Sequence, residues 1–403
     1  MKWEHKARAI RFYQFFFTKA QYLMPWRRPE LISGSHSTVE LAGVIWKAGL
    51  KKILVVTGPN VMRLGLPRPM LDALTAEGVE YIVYDGVKPN PDDICVEEAR
   101  SLYVEGGCDG IVAFGGGSPM DCAKAAGARI ARPGRSVAKL GGTLRVLKKL
   151  PPLYAVPTTA GTGSETTIAA VITDSATHRK YAINDFRLIP LCAVLEPELT
   201  VGLPPQITAT TGLDALTHAV EAYTNRYTPA YAADYAVRAV KLIFENLPTA
   251  FSDGGNLEAR NNMLLASYFA GVAFTRAGVG NVHAIAHTVG GLYGVAHGLA
   301  NSVILPIVLT DYKSAVYRPL AELADAVGIA GDSDEQKAAA FIQAIRAMNA
   351  RMCIPERLDV IRDEDIPKMV EWAMKEANPL YPVPEVWGPQ QFTRTIRHIK
   401  GQD

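Results

Sequence analysis

The sequence predicts an α/β half built on a parallel sheet, followed by an all-helical half. Three observations carry this reading. Short β-branched runs recur between residues 51 and 195, separated by stretches of helical periodicity. Two of those runs lead straight into loops of glycine and hydroxyl residues. Beyond Pro204-Pro205 the β-pattern disappears. Strands alternating with helices of roughly ten to fifteen residues form βαβ units, and such units give a parallel sheet.

Residues 1–34 read as an arm apart from both halves. Phe12, Tyr13, Phe15, Phe16, Phe17 and Tyr22 make it aromatic, and Lys2, Lys6, Arg8, Arg11, Lys19, Arg27 and Arg28 make it basic. Lys19 and the Trp26-Arg27-Arg28 run interrupt any apolar core, against the pattern of a signal peptide. An amphipathic arm docking on the protein's own body or on a second subunit is expected. A helix lying on a membrane surface is the lesser alternative.

The α/β domain is expected over 35–205. Ile53-Leu54-Val55-Val56-Thr57 ends at Gly58-Pro59 and reads as a buried strand. A helix over 69–78 and a strand over 81–84 follow. Pro89-Asn90-Pro91-Asp92 starts the helix 93–105, and 110–114 is the third strand. That strand runs into Gly115-Gly116-Gly117-Ser118-Pro119-Met120-Asp121, where Ser118 suits an N-cap and Pro119 the first helical position. Glycines at a strand's end, followed by a helix N-terminus, form a phosphate cradle. The spacing is not G-x-G-x-x-G, so the common dinucleotide fingerprint fails, and a plain tight turn is the alternative. A strand over 153–156 then leads into Pro157-Thr158-Thr159-Ala160-Gly161-Thr162-Gly163-Ser164-Glu165-Thr166-Thr167, again at a sheet's ligand-binding end. Segments 168–173 and 181–183 suggest a hairpin, and 192–195 another strand.

From 206 to 403 the pattern is helical, over 211–224, 230–246, 256–276, 282–290, 299–311, 317–327, 335–351 and 365–376. Within it Asp214 and His218 are four apart and share one helical face. His283, His287 and His297 follow in a segment, 281–300, that holds neither Lys nor Glu. Imidazoles in such apolar surroundings need partners. A carboxylate joined by imidazoles is ligand chemistry for a divalent transition metal, although an isolated Asp/His pair is more often a helix-surface contact. Spacing alone does not choose between His283 and His287, one turn apart.

Composition narrows the classes. A net charge of +2 over 403 residues argues against a nucleic-acid partner. Five cysteines without C-x-x-C spacing argue against a disulfide framework and fit a reducing cytoplasm. No apolar run reaches transmembrane length.

These motifs, in this order, resemble the iron-containing (group III) alcohol dehydrogenases over about residues 35–400. The resemblance implies a dehydroquinate synthase-like architecture, in which a Rossmann-like dinucleotide domain precedes an all-helical metal domain. It implies Asp214, His218, His283 and His297 as metal ligands, with His287 near the substrate as a proton relay or a support for the metal. The metal is usually Fe2+ in this family, with Zn2+ in some members. Gly116, Gly117 and Ser118 would hold the pyrophosphate of NAD(P)(H), Asp121, Thr158, Thr159 and Thr162 would line its groove, and Lys180 would reach the ribose. The implied reaction moves a hydride between a small primary alcohol, or its aldehyde, and nicotinamide held across the cleft between the halves. The family also implies at least a homodimer.

Two departures stand out. Many NAD-using members carry an acidic residue where this chain has Gly58, and its loss removes repulsion of a 2′-phosphate, which tilts the expectation toward NADP(H). Glu196 stands where the family more often has Asp. Competing readings on the same fold are a glycerol-like polyol dehydrogenase and a hydroxyacid–oxoacid transhydrogenase. A metal-dependent hydrolase would leave the glycine loop without a purpose, and a shell-associated scaffold would need the arm to dominate.

Overall fold

The computed structural model describes residues 3–21, 24–177 and 179–402; Lys2 and Tyr22, named above, lie outside them. The chain forms two compact units, one of Pro25–Gly202 and one of Leu203–Asp403 joined by the N-terminal Met1–Met24. The stretch 1–34 is therefore divided between units. Helix α1 (Trp3–Gln21) belongs with the helical unit, where the Arg11 guanidinium donates to the carbonyls of Val383 (2.6 Å) and Pro384 (2.7 Å). Buried Gln14 donates to the Tyr381 carbonyl at 2.6 Å. Residues Glu30–Ser33 instead form strand β1 of the α/β unit, because Ile32 buries its side chain there and the backbone pairs with a sheet edge.

After β1 the α/β unit runs α2 (Ser37–Lys47), β2 (Lys52–Val56), α3 (Pro59–Arg63), α4 (Arg68–Ala76), β3 (Glu80–Tyr84), α5 (Asp93–Glu105), β4 (Gly110–Gly115) and α6 (Gly117–Ala131). It continues through α7 (Val137–Leu140), β5 (Gly142–Thr143), β6 (Leu153–Pro157), β7 (Ala169–Thr173), β8 (Lys180–Asn184) and β9 (Cys192–Leu195). Six strands pair in the order β1-β9-β6-β4-β2-β3, all parallel. Strands β7 and β8 make the expected antiparallel hairpin, with two-residue β5 alongside.

The apolar strand runs are explained by burial on both faces. Leu54, Val56, Ile111, Ala113, Leu153 and Ala155 point into one core. Their alternates Ile53, Val55, Val112, Phe114, Tyr154 and Val156 point into the other. Each face is a hydrophobic layer, so no polar alternation survives in the sequence. Chain direction across the sheet reverses between β2 and β4, which makes their C-terminal ends the switch point where open α/β sheets take ligands. Glu196, at the end of β9, accepts from the Thr38 N–H at 2.8 Å and so caps α2, whose own N-cap, His36, makes no side-chain cap.

The helical unit comprises α8 (Pro205–Thr224), α9 (Ala230–Ser252), α10 (Leu257–Ala277), α11 (Asn281–Tyr293), α12 (His297–Tyr312), α13 (Tyr317–Ala326), α14 (Asp334–Arg351), α15 (Ile366–Ala377) and α16 (Pro389–Lys400). Helix α8 is buried continuously from Gly212 to Ala222, its polar Asp214, Thr217, His218 and Glu221 included. Gly212 permits its close crossing with α9, since a Cβ there would lie 2.5 Å from Leu247 Cδ1. Among the described residues no single helix is long and apolar enough to cross a membrane.

Candidate functional site

Four side chains from three helices converge in the helical unit. Asp214 and His218 stand one turn apart on α8, His283 is the third residue of α11, and His297 opens α12. One donor atom from each lies within 4.8 Å of the others. Asp214 Oδ1 is 3.6 Å from His297 Nε2 and 4.0 Å from His283 Nε2. Asp214, His218 and His283 are buried, whereas the His297 side chain is 41% exposed, so the cluster opens on that flank.

The surrounding groups prepare these side chains to bind a cation. Glu221, on the same helix, has both oxygens engaged by backbone N–H groups, of Gly280 and Val282, each at 2.8 Å. One of them also meets His283 Nδ1 at 2.6 Å. With the carboxylate accepting, His283 carries its proton on Nδ1 and turns the Nε2 lone pair into the cluster. Position 280 has to be glycine, because a Cβ would lie 2.7 Å from Glu221 Oε1.

Asn301, one turn beyond His297 and fully buried, brings its amide nitrogen to 2.7 Å from Asp214 Oδ1 and 3.1 Å from Nε2 of both His283 and His297. Facing only acceptors, the amide must present its nitrogen. Burial holds His283 well below the ordinary imidazole range, reinforced by His218, His297 and His287, so it stays neutral. Burial also raises the carboxyls of Asp214 and of Glu221, the latter to about 8. Neutral imidazoles around a carboxylate whose charge is costly in isolation are a donor set for a divalent transition metal. The residues present fit such an ion.

His287 stands apart from the four. Its ring centroid is 5.1 Å from that of His297 and 6.0 Å from that of His283, and its Nδ1 lies 2.6 Å from Glu376 Oε1. The same oxygen accepts from the Tyr381 hydroxyl at 2.9 Å. Spacing could not separate His283 from His287. The geometry does, through the different carboxylates that hold them.

In the α/β unit the glycine run lies at the β4 end. Helix α6 starts two residues earlier than expected: Gly116 is its N-cap, Ser118 its second residue and Pro119 its third. The reason is that extended Gly116 can leave the strand and enter the helix directly, and proline is accommodated within a first turn whose N–H groups have no intrahelical partner. No side chain caps this end, so its N–H groups remain available to an anion. A Cβ on Gly116 would sit 3.4 Å from Thr159 Oγ1, and one on Gly117 would sit 3.3 Å from Thr162 Cγ2. The narrow space between the two loops is one that side chains would fill, and it suits a pyrophosphate.

Around this cradle, Lys180 donates to Asn90 Oδ1 at 2.6 Å, and the Asn90 N–H donates to Ser118 Oγ at 3.3 Å. Asn90 adopts a left-handed φ of 56°. Thr158 is buried, and its N–H donates to the Gly115 carbonyl at 3.1 Å. Asp121 accepts from Ser164 Oγ at 3.2 Å beside fully buried Lys124. The Lys124 ammonium reaches the carbonyls of Ser164 (2.6 Å), Thr167 (3.0 Å) and Ala169 (3.0 Å), clasping the hydroxyl loop to α6. Gly58 is the N-cap of α3 at the β2 end, with φ −105° and 3.4 Å from its would-be Cβ to the Val87 carbonyl. Nothing steric requires glycine there.

Each half of the chain matches a family model. Residues 29–197 match the model of iron-containing alcohol dehydrogenase, and 208–398 match that of the Fe-containing alcohol dehydrogenase family, C-terminal. The chain belongs to the iron-containing alcohol dehydrogenase family. This alcohol dehydrogenase family member is a metal-dependent oxidoreductase of the alcohol dehydrogenase and aldehyde reductase class, and the hydrolase and scaffold readings fall away. It is 40% identical over 336 residues to 1,3-propanediol dehydrogenase of Klebsiella pneumoniae, covering 82% of this chain and 87% of the relative. It is 36% identical over 352 residues to NAD-dependent methanol dehydrogenase of Bacillus methanolicus, covering 86% and 92%. A crystal structure of 1,3-propanediol oxidoreductase superposes with a TM-score of 0.89 at 36% identity, covering 93% of this chain and 99% of that one.

Proposed function

We propose that this enzyme interconverts a small primary alcohol or diol and its aldehyde at the Asp214, His218, His283 and His297 cluster, with a nicotinamide dinucleotide bound on the Gly116-Gly117-Ser118 cradle. The observation that carries the reading is the convergence of those four donor atoms within 4.8 Å of one another, with His283 Nδ1 held from behind at 2.6 Å by Glu221. A family-typical Fe2+ ion, or Zn2+ in its place, supplies Lewis acidity toward the substrate oxygen, and the nicotinamide supplies the hydride acceptor. The chain's own residues then do the rest. Asp214 contributes the anionic donor and the three imidazoles the neutral ones. Asn301 holds Asp214 in place by its 2.7 Å hydrogen bond.

His287 takes the proton released as the alcohol is oxidised and returns it in reduction. Its Nδ1 is held by Glu376 at 2.6 Å, and its 46% side-chain exposure gives the proton a route to water. On the cofactor side, the N–H groups at the start of α6 receive the pyrophosphate, and Thr158, Thr159 and Thr162 border it. Lys180, braced by Asn90, reaches the ribose. Asp121 supports this site from the Lys124 clasp.

NADP(H) is the preferred cofactor in this reading. Gly58 presents no carboxylate to a 2′-phosphate, and exposed Arg63 lies in the helix that Gly58 opens. The products are small alcohols, in keeping with the names of the relatives. Metal analysis of anaerobically purified protein tests the cluster, and a panel of short alcohols and aldehydes with both cofactors tests the reaction. Equimolar metal with turnover is the expected result. A kcat/KM for NAD(H) well above that for NADP(H) would refute the cofactor preference.

A further inference from the structure

Helix α1 docks by one side and leaves its aromatic residues on the other. Its inner side is docked on the helical unit by Arg11 and Gln14, and the Trp3 ring packs where a Cβ on Gly388 would otherwise stand, 2.8 Å away. Its outer side exposes Phe12 (68%), Phe16 (54%), Tyr13 (43%) and Phe15 (40%). Phe12 and Phe16 lie 4.6 Å apart between ring centroids. Phe15 meets Tyr227 at 5.7 Å, which carries the aromatic surface from the arm onto the body. A contiguous exposed aromatic patch marks a contact surface.

The rim says what would cover it. Lys6, Arg8 and Lys19 are exposed along the same helix, and Arg226 is exposed beside Tyr227, whereas Glu4 is the only acidic residue in α1. Lys19 Nζ lies 5.7 Å from the centroid of Phe15. A second copy of this face would bring cations against cations around its rings. Aromatic side chains ringed by Lys and Arg match instead the boundary between anionic headgroups and acyl chains, where rings enter the interfacial zone and cations meet phosphate. We infer that the outer face of α1 seats the enzyme on an anionic lipid bilayer as a peripheral, non-spanning contact. The enzyme would then act on small alcohols and aldehydes at the membrane surface.

Flotation of the full-length enzyme with lipid vesicles tests this. Phosphatidylcholine vesicles containing about a third phosphatidylglycerol should carry the protein at low salt, and neutral phosphatidylcholine vesicles should not. Raising the salt should release it, by screening. The double variant Phe12→Ser, Phe16→Ser, and separately Lys6→Glu, Lys19→Glu, should each lose binding by at least ~10-fold while turnover of a soluble alcohol is unchanged. The lysine variants keep the aromatic rings, so a folding defect of the first pair cannot imitate the result. Absence of binding to anionic vesicles, or undiminished binding by either double variant, overturns the inference. So does a light-scattering dimer that ignores vesicles and that Phe12→Ser, Phe16→Ser converts to monomer, which would assign the face to a second copy.

Discussion

Asn301 lies outside the proposed ligand set yet meets three of its members. Its amide nitrogen donates to Asp214 Oδ1 at 2.7 Å and approaches Nε2 of His283 and His297 at 3.1 Å. Asn301→Leu keeps roughly the volume but leaves Asp214 Oδ1 without that donor. The expected loss is about 10–100-fold in metal affinity, read by competition with a chromophoric chelator, with the fold intact by circular dichroism. An unchanged affinity would reduce Asn301 to packing. His218→Ala and His283→Ala should abolish bound metal and turnover together. His287→Ala should retain metal yet slow hydride transfer, and a metal-free His287 variant would remove that division of labour. At this scale the sequence was readable where spacing is local: Asp214 and His218 sit at i, i+4. Glu221 lay in view on the same helix, but its partners at 280–283 are about sixty positions away, and only the fold brings them together.

At the scale of elements, two glycines control the positions of whole helices and loops. A Cβ on Gly298 would fall 2.4 Å from the Thr210 carbonyl oxygen, which is backbone and cannot rotate aside. Gly298→Ala should therefore push α12 from α8, move His297 away from Asp214 and lower metal occupancy severalfold in elemental analysis, with dinucleotide affinity preserved. Gly117→Val should do the reverse, since its side chain would meet Thr162 in the cradle. Calorimetric titration should show dinucleotide binding weakened by at least ~10-fold, that is by more than about 1.4 kcal/mol, with metal content unchanged. The long helices and buried strands were legible because their periodicity extends over many residues. Strand β1 escaped because Glu-Leu-Ile-Ser is a four-residue sheet edge with no pattern to repeat. Helix α16 did carry signals: Gly388-Pro389 at its start, Phe392, Ile396 and Ile399 at helical spacing, and left-handed Gly401 after its end. They were obscured by a polar composition that resembles a tail. The N-terminus of α6 was misplaced because side-chain capping favours Ser118, while the strand-to-helix turn demanded glycine.

Across the whole molecule the chemistry is divided by unit. Every proposed metal-donor side chain lies in Leu203–Asp403, and the proposed cofactor cradle with its threonines and Lys180 lies in Pro25–Gly202. A ligand that binds only the folded form stabilises it by RT ln(1 + [L]/Kd), about 2.7 kcal/mol at a hundredfold excess over Kd. For a unit of roughly 200 residues that corresponds to a rise of about 5–10 °C in its Tm. Calorimetry of the metal-loaded enzyme should therefore lose that amount from the helical unit's transition on chelation and regain it when Fe2+ or Zn2+ is returned. Adding dinucleotide to the chelated protein should raise the transition of the α/β unit instead. The Gly117→Val variant supplies the internal control, responding to metal but not to dinucleotide. If chelation leaves every transition in place, the buried carboxylate and imidazoles are held by Asn301 and Glu221 alone and the cluster contributes no metal site. If the wild-type protein responds to metal and not to dinucleotide, the cradle assignment fails while the metal centre stands.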